Sequence, residues 1–240
     1  MVIGKLRRVG PPVLVRERAL HQLRDAIISG EIAPGARLIE RELCAAMGVS
    51  RASVREVIRR LEAEQLIDVV PRRGPTVTTL TSKQAAEIYE VRGIFEALLI
   101  RRFTEMASER DIAALQAIFE DVKRVAAKRD VVQIINLMRR FNEHLMAVVR
   151  HDIARDILSQ LHARINWLRV KAMAQPGRLA ASIGEVTAIL DAVARRDAAA
   201  AAEHMAAYIR NARDAALEQL AEQGDNRVER QGRKRGGKGS

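Results

Sequence analysis

Gly48-Val49-Ser50-Arg51-Ala52-Ser53-Val54-Arg55-Glu56 is the stretch that decides how this chain reads. Gly48 stops one apolar-periodic segment. Ser50 is a good N-cap for the next, because its hydroxyl accepts from the free amides of the following turn. The helix that opens there runs to about Gln65, with Val54, Val57, Ile58 and Leu61 on its inner face. Its first turn carries Arg51, Ser53 and Arg55. In a helix-turn-helix the leading end of the second helix enters the major groove. An arginine there meets guanine O6 and N7 with two parallel hydrogen bonds, and short hydroxyls such as Ser50 and Ser53 suit phosphates or base edges.

The surroundings complete a small DNA-reading unit over residues 13–80. Upstream, Leu20, Leu23 and Ile27 mark a helix from Val13 to Ser29, stopped by Gly30. Ala33-Pro34-Gly35 is a turn, and Glu40 to Met47 a short helix on which Arg41 is placed to grip the DNA backbone. Downstream, Leu66–Val70 and Thr76–Leu80 are β-branched runs joined by Pro71-Arg72-Arg73-Gly74-Pro75, which reads as a hairpin wing. Arg72 and Arg73 at its tip suit a phosphate or the minor groove, and Gly74 lets the backbone come close. The competing reading makes these arginines a solvated basic face. Arg59 and Arg60 are weaker candidates, one for a phosphate and the other for a pair with Glu56 or Glu64.

Thr81 to Lys83 reads as the hinge to a second region, residues 84–222, in which no strand pattern occurs. Ile88, Val91, Phe95 and Leu98 mark its first helix. Ser108 with Asp111 caps a second, Asp130 starts a third, and the fourth ends before Pro176-Gly177. Ile183 to Val193 marks a fifth, and Asp197 starts a sixth. Ala198–Ala202 suits close helix packing. The fold class expected is mainly α: a winged helix-turn-helix followed by an all-α bundle. Residues 1–12 read as a basic arm and 223–240 as a basic, disordered tail.

Composition narrows the function. The net charge is +11 over 240 residues, divided as +5 over residues 1–81, +2 over 82–223 and +4 over 224–240. That distribution suits double-stranded DNA at the N-terminal unit. Only 3% of residues are aromatic, too few for modules that stack single-stranded bases. No apolar run reaches bilayer length, no secretory signal is expected, and the lone Cys44 fits a reducing cytoplasm. There is no phosphate loop, no His-Glu-x-x-His and no nucleophile elbow, so an enzyme is not expected. The other alternative is a charge-driven, non-specific DNA binder.

The runs Gly30 to Leu43, Val49 to Glu56 and Pro71 to Gly74 resemble the GntR family of bacterial regulators over residues 13–80. Residues 84–220 resemble the FadR-type, or FCD, effector domain, through Tyr89-Glu90-Val91-Arg92 with Glu96 and through Ile189-Leu190-Asp191-Ala192 to Asp197. The resemblance implies a homodimer on a short palindrome, controlled by a small, often carboxylated metabolite. Ala52-Ser53 and Gln65 depart from the usual residues. Many such proteins hold a divalent metal with one Asp and three His. Aligned on Phe141-Asn142, those positions become Met138, Asn142, Val186 and Tyr208, so no metal is expected; a shift that brings His144 inward, or an approach by His204, is the alternative. The effector then needs organic partners: Arg92 for a carboxylate, Asn142 and Tyr208 for polar contacts, and Arg139, Asn166 and Arg169 as further candidates. Arg92 is equally explained by a salt bridge to Glu96.

Overall fold

The computed structural model describes the backbone of residues 12–70 and 74–236, and the side chains of 15–69 and 74–222. The N-terminal arm, the wing-tip arginines Arg72 and Arg73, and residues 237–240 lie outside the described residues. The chain divides into two compact units, Met1–Thr79 and Leu80–Ser240.

In the first unit α1 (Pro12–Ser29), α2 (Glu40–Met47) and α3 (Arg51–Ala63) precede a hairpin of β1 (Ile67–Val70) and β2 (Gly74–Val77). The strands pair antiparallel, Ile67 opposite Val77 and Val70 opposite Gly74. Residues 35–38 add to the outer edge of β2: the amides of Gly35 and Leu38 donate to the Val77 and Pro75 carbonyls. Leu20, Leu23 and Ile27 of α1 meet Val54, Val57, Ile58 and Leu61 of α3 in a buried core, the stripes that the helical spacing sets out. Gly48 ends α2 at φ +65 with no room conflict, a left-handed position glycine adopts without steric cost.

The second unit is six helices: α4 (Ser82–Met106), α5 (Glu109–Ala126), α6 (Val131–Val149), α7 (Asp152–Met173), α8 (Arg178–Ala194) and α9 (Ala198–Gly236). Ile100, Phe103, Leu115, Phe119, Phe141, Leu158, Ile165 and Ile189 form its centre. The caps fall where the residue types place them. Ser108 and Asp111 satisfy each other's backbone amides, Asp130 accepts from the Gln133 amide, and Asp197 accepts from the Ala200 amide.

Two expectations need correction. Thr81–Lys83, read as the hinge, forms the capped start of α4, and the division of the chain falls just before it, between Thr79 and Leu80. The Thr81 hydroxyl accepts from the Gln84 amide, the Gln84 side chain returns to the Thr81 amide, and Leu80 is already buried in the helical core. Thr-x-x-Gln is a capping-box signature, so local hydrogen bonding claims these residues for the helix. The tail also differs. The backbone stays helical to Gly236, because extending a helix already anchored by packing costs far less than starting one. Four helix ends carry a non-glycine residue in the left-handed region, Gln65 (φ 59), Arg129, Arg150 and Arg196.

Candidate nucleic-acid interface and buried cavity

On α3 the Ser50 Oγ accepts from the Ser53 amide at 3.2 Å and lies 3.1 Å from the Ser53 hydroxyl. The two serines therefore hold the first turn together, and the contact set expected of them at DNA is shared with capping. Arg51 and Arg41 are exposed, with no ion pair among the described residues. Arg55, 63% exposed, donates through Nε to both carboxylate oxygens of Glu40 at 3.0–3.1 Å. That contact engages Nε and leaves the side chain largely exposed. Arg59 and Arg60 both approach Glu56 at 3.7 and 3.6 Å, while Glu64 pairs with Arg24 of α1 instead. Gly74 opens β2 at φ +75 with open space where a Cβ would stand.

Inside the helical unit, α4, α6, α7, α8 and α9 converge on a narrow cavity that their own side chains fill, leaving no room for a water-sized sphere. Arg92, Glu96, Asn142, Arg169 and Tyr208 give it polar groups, and Met138, Phe141, Val186, Ile189 and Met205 give it apolar walls. Of the six expected effector residues, four line it: Arg92, Asn142, Arg169 and Tyr208. Two do not. Arg139 stands one residue beyond Met138, about 100° round α6, and pairs with Glu143 in solvent. Asn166 is half-buried on α7, outside the lining. Met138 and Val186 face the cavity as the family alignment implies.

The polar geometry is tight. Arg92 (2% exposed) donates through Nε to Glu96 at 2.8 Å, and its guanidinium lies over the Tyr89 ring, 4.9 Å from the centroid. The salt bridge to Glu96 is therefore made, and Arg92 also lines the cavity. Its Nη1 is buried with no hydrogen-bond partner. Arg169 (9% exposed) has no ion pair among the described residues, and burial and the nearby Arg92 both lower its pKa. Tyr208 carries the Arg178 guanidinium over its ring, and Arg178 in turn pairs with Glu185 at 2.8 Å.

His162 was not singled out by the sequence. Its Nε2 lies 2.9 Å from Glu96 Oε1. Burial pushes its pKa down to about 4, against the pull of Glu96, so near neutrality it is uncharged and donates to the carboxylate. Burial opposes the charge on Glu96, but Arg92 and the hydrogen bond from His162 prevail and hold it at about 2. A signal for His162 existed: Leu158, His162, Ile165 and Arg169 fall on one face of α7. His144 instead reaches the Asp111 carbonyl at 2.9 Å and stacks edge-on to Phe103, and His204 is exposed. The donor set does not fit a divalent cation. Met138, Asn142, Val186 and Tyr208 offer no carboxylate or imidazole, Glu96 is already held, and two guanidinium groups share the space.

The comparisons agree with this architecture. Residues 15–77 match the bacterial regulatory proteins of the gntR family, and residues 87–211 match the FCD domain. The HTH-type transcriptional regulator McbR of Escherichia coli (strain K12) is 30% identical over 162 residues, covering 68% of this chain and 72% of that protein. The gluconate operon transcriptional repressor of Bacillus subtilis (strain 168) is 31% identical over 144 residues, 60% of this chain and 59% of the relative. Among solved structures, E. coli McbR/YncC superposes with a TM-score of 0.74 at 24% identity, covering 89% of this chain and 100% of that one. A GntR transcriptional regulator from Rhodococcus sp. RHA1 gives 0.73 at 23% identity, with 85% and 97% covered. Among the described residues no helix is long and apolar enough to cross a membrane.

Proposed function

The chain belongs to the GntR family, FadR type, as a DNA-binding transcription regulator with an FCD effector domain and not an enzyme, and on that premise we propose that its effector is a small carboxylate-bearing metabolite held in the narrow cavity of the helical unit. The observation that carries this reading is Arg169, a guanidinium buried without an acid partner beside an Arg92 nitrogen that has no acceptor. A carboxylate answers both with charge-assisted, two-point hydrogen bonds. Asn142 and Tyr208 orient the rest of the ligand, and the apolar walls take an acyl or ring portion. No metal takes part, because the positions that the family resemblance assigns to one, Met138, Asn142, Val186 and Tyr208, carry no carboxylate or imidazole.

DNA is read by Arg51 and Arg55 at base edges, with Arg41 on the backbone, Ser50 and Ser53 shaping the first turn, and Arg72, Arg73 and Gly74 at the wing. The protein acts in the cytoplasm as a homodimer on a two-fold operator. Support for pairing comes from α4, whose outer face exposes Val91, Ile94 and Leu98 at helical spacing, Ile94 being 66% exposed. The test is selection from random duplexes, followed by titration of the selected site with and without a panel of organic acids. Midpoints that no acid moves, in either direction, would remove the carboxylate from the account.

A further inference from the structure

The charges that face the cavity do not balance. α4 supplies Arg92 and Glu96, and α7 supplies Arg169, with His162 outside the lining but hydrogen-bonded to Glu96. α6, α8 and α9 face it with uncharged groups, of which Asn142 and Tyr208 are polar. The neighbouring Arg178–Glu185 pair over Tyr208 is neutral as a unit, and burial pushes the Tyr89 phenol further up, so it stays uncharged. With Glu96 ionised and His162 neutral, two cations face one carboxylate. One positive charge is left without a counter-ion in a place largely closed to water, where an unpaired charge is strongly unfavourable. The orphaned Nη1 of Arg92 marks a second deficit, a buried donor with no acceptor.

We propose that the cavity takes a singly charged acid, one carboxylate on an uncharged and mostly apolar body, held directly by Arg169 and the free Nη1 of Arg92 with no metal between them. This rests on the reading of the helical unit as a carboxylate sensor and specifies its ligand. One carboxylate cancels the excess. A second would reverse it, unless a proton arrived with it, and His162, 2.9 Å from the Glu96 oxygen that Arg92 also holds, is the group placed to take that proton. The space among the side chains is too narrow for a water-sized sphere, so a ligand enters by displacing walls. Met138 and Met205 are the unbranched, adaptable side chains suited to move.

The experiment uses the full chain, with and without EDTA, in thermal unfolding and isothermal titration against two matched pairs, butyrate with succinate and benzoate with phthalate. Each monoacid raises the melting temperature and binds roughly tenfold or more tightly than its diacid partner. Where a diacid binds, it does so with proton uptake, seen as a heat that depends on the buffer's ionisation enthalpy. Arg169→Met raises the melting temperature of the ligand-free protein and abolishes the response to acids, while Arg169→Lys keeps the response. Diacids that bind more tightly without proton uptake overturn the single-charge proposal and leave the carboxylate sensor standing. Binding that EDTA abolishes overturns the direct arginine contact. If none of the four acids is felt, the proposal fails; if Arg169→Met then also leaves the ligand-free protein unchanged, the sensor reading fails with it.

Discussion

Arginine does opposite jobs in the two units. On α3, Arg51 and Arg55 stand in water, and the Arg55–Glu40 pair is of the exposed kind that contributes little to stability. In the cavity, Arg92 and Arg169 are stripped of water, and each needs an acid partner or weakens the fold. The difference shows where a charge is available for recognition. The surface arginines can be given up to a partner because little in the fold depends on them. The buried ones are available because the fold leaves one of them short of a partner.

The largest effect that sharpens this contrast is expected at Glu96. Glu96→Gln leaves two buried guanidinium groups without a carboxylate and should lower stability by about 3–5 kcal/mol in denaturant unfolding. Glu40→Gln, which breaks the surface pair, should change it by well under about 1 kcal/mol. Equal losses at the two sites would erase the contrast.

Acid is the next lever. The folded state keeps His162 unprotonated down to about 4, whereas an unfolded histidine takes its proton near 6.5. Unfolding therefore binds a proton between those values, and stability falls as pH drops through that window, at most by about 1.4 kcal/mol per unit. Above it His162 has no effect. Glu96, held at about 2 against 4.5, adds a further loss below pH 4.5. His162→Gln should flatten the upper window and leave the lower one. A wild-type unfolding free energy that does not vary from pH 6.5 to 4.5 would contradict the burial of His162.

On the DNA side, Arg51→Ala or Arg55→Ala should each remove about 1–3 kcal/mol of discrimination between a selected duplex and random DNA, with unfolding unchanged. Discrimination that survives both substitutions would leave α3 without its reading role. The smallest effect lies at the end of α3. Gln65 sits at φ 59, and Gln65→Gly should stabilise the first unit by about 1 kcal/mol, visible as a rise in melting temperature with no change in DNA affinity.

Much of this was legible in the residues, for reasons that differ by region. Ser50, Gly48 and the stripe Val54, Val57, Ile58 and Leu61 act within a few residues of one another, so spacing alone places α3. The same holds for the Ser108–Asp111 and Asp130 caps. The cavity required contacts between residues far apart in the chain. Arg92, Asn142, Arg169 and Tyr208 came from the family resemblance, and the structure gathers them. Arg139 stays outside the lining because a neighbour in sequence is a stranger on a helix face. His162 escaped because a histidine's importance depends on its partner, here Glu96, 66 residues away. The Thr81 cap escaped because a short polar run between two patterns reads as a linker until its Thr-x-x-Gln hydrogen bonds are counted.

α4 carries a consequence of its own. Its capped start stands just past the junction of the two units, and its third and fourth turns carry Arg92 and Glu96. Eleven helical steps lead from Thr81 to Arg92, roughly 16 Å of stiff rod. Arg92 and Glu96 therefore ride on the same unbroken helix as the cap at Thr81, and a change in the charge around that pair bears on a stiff element rather than on a loop.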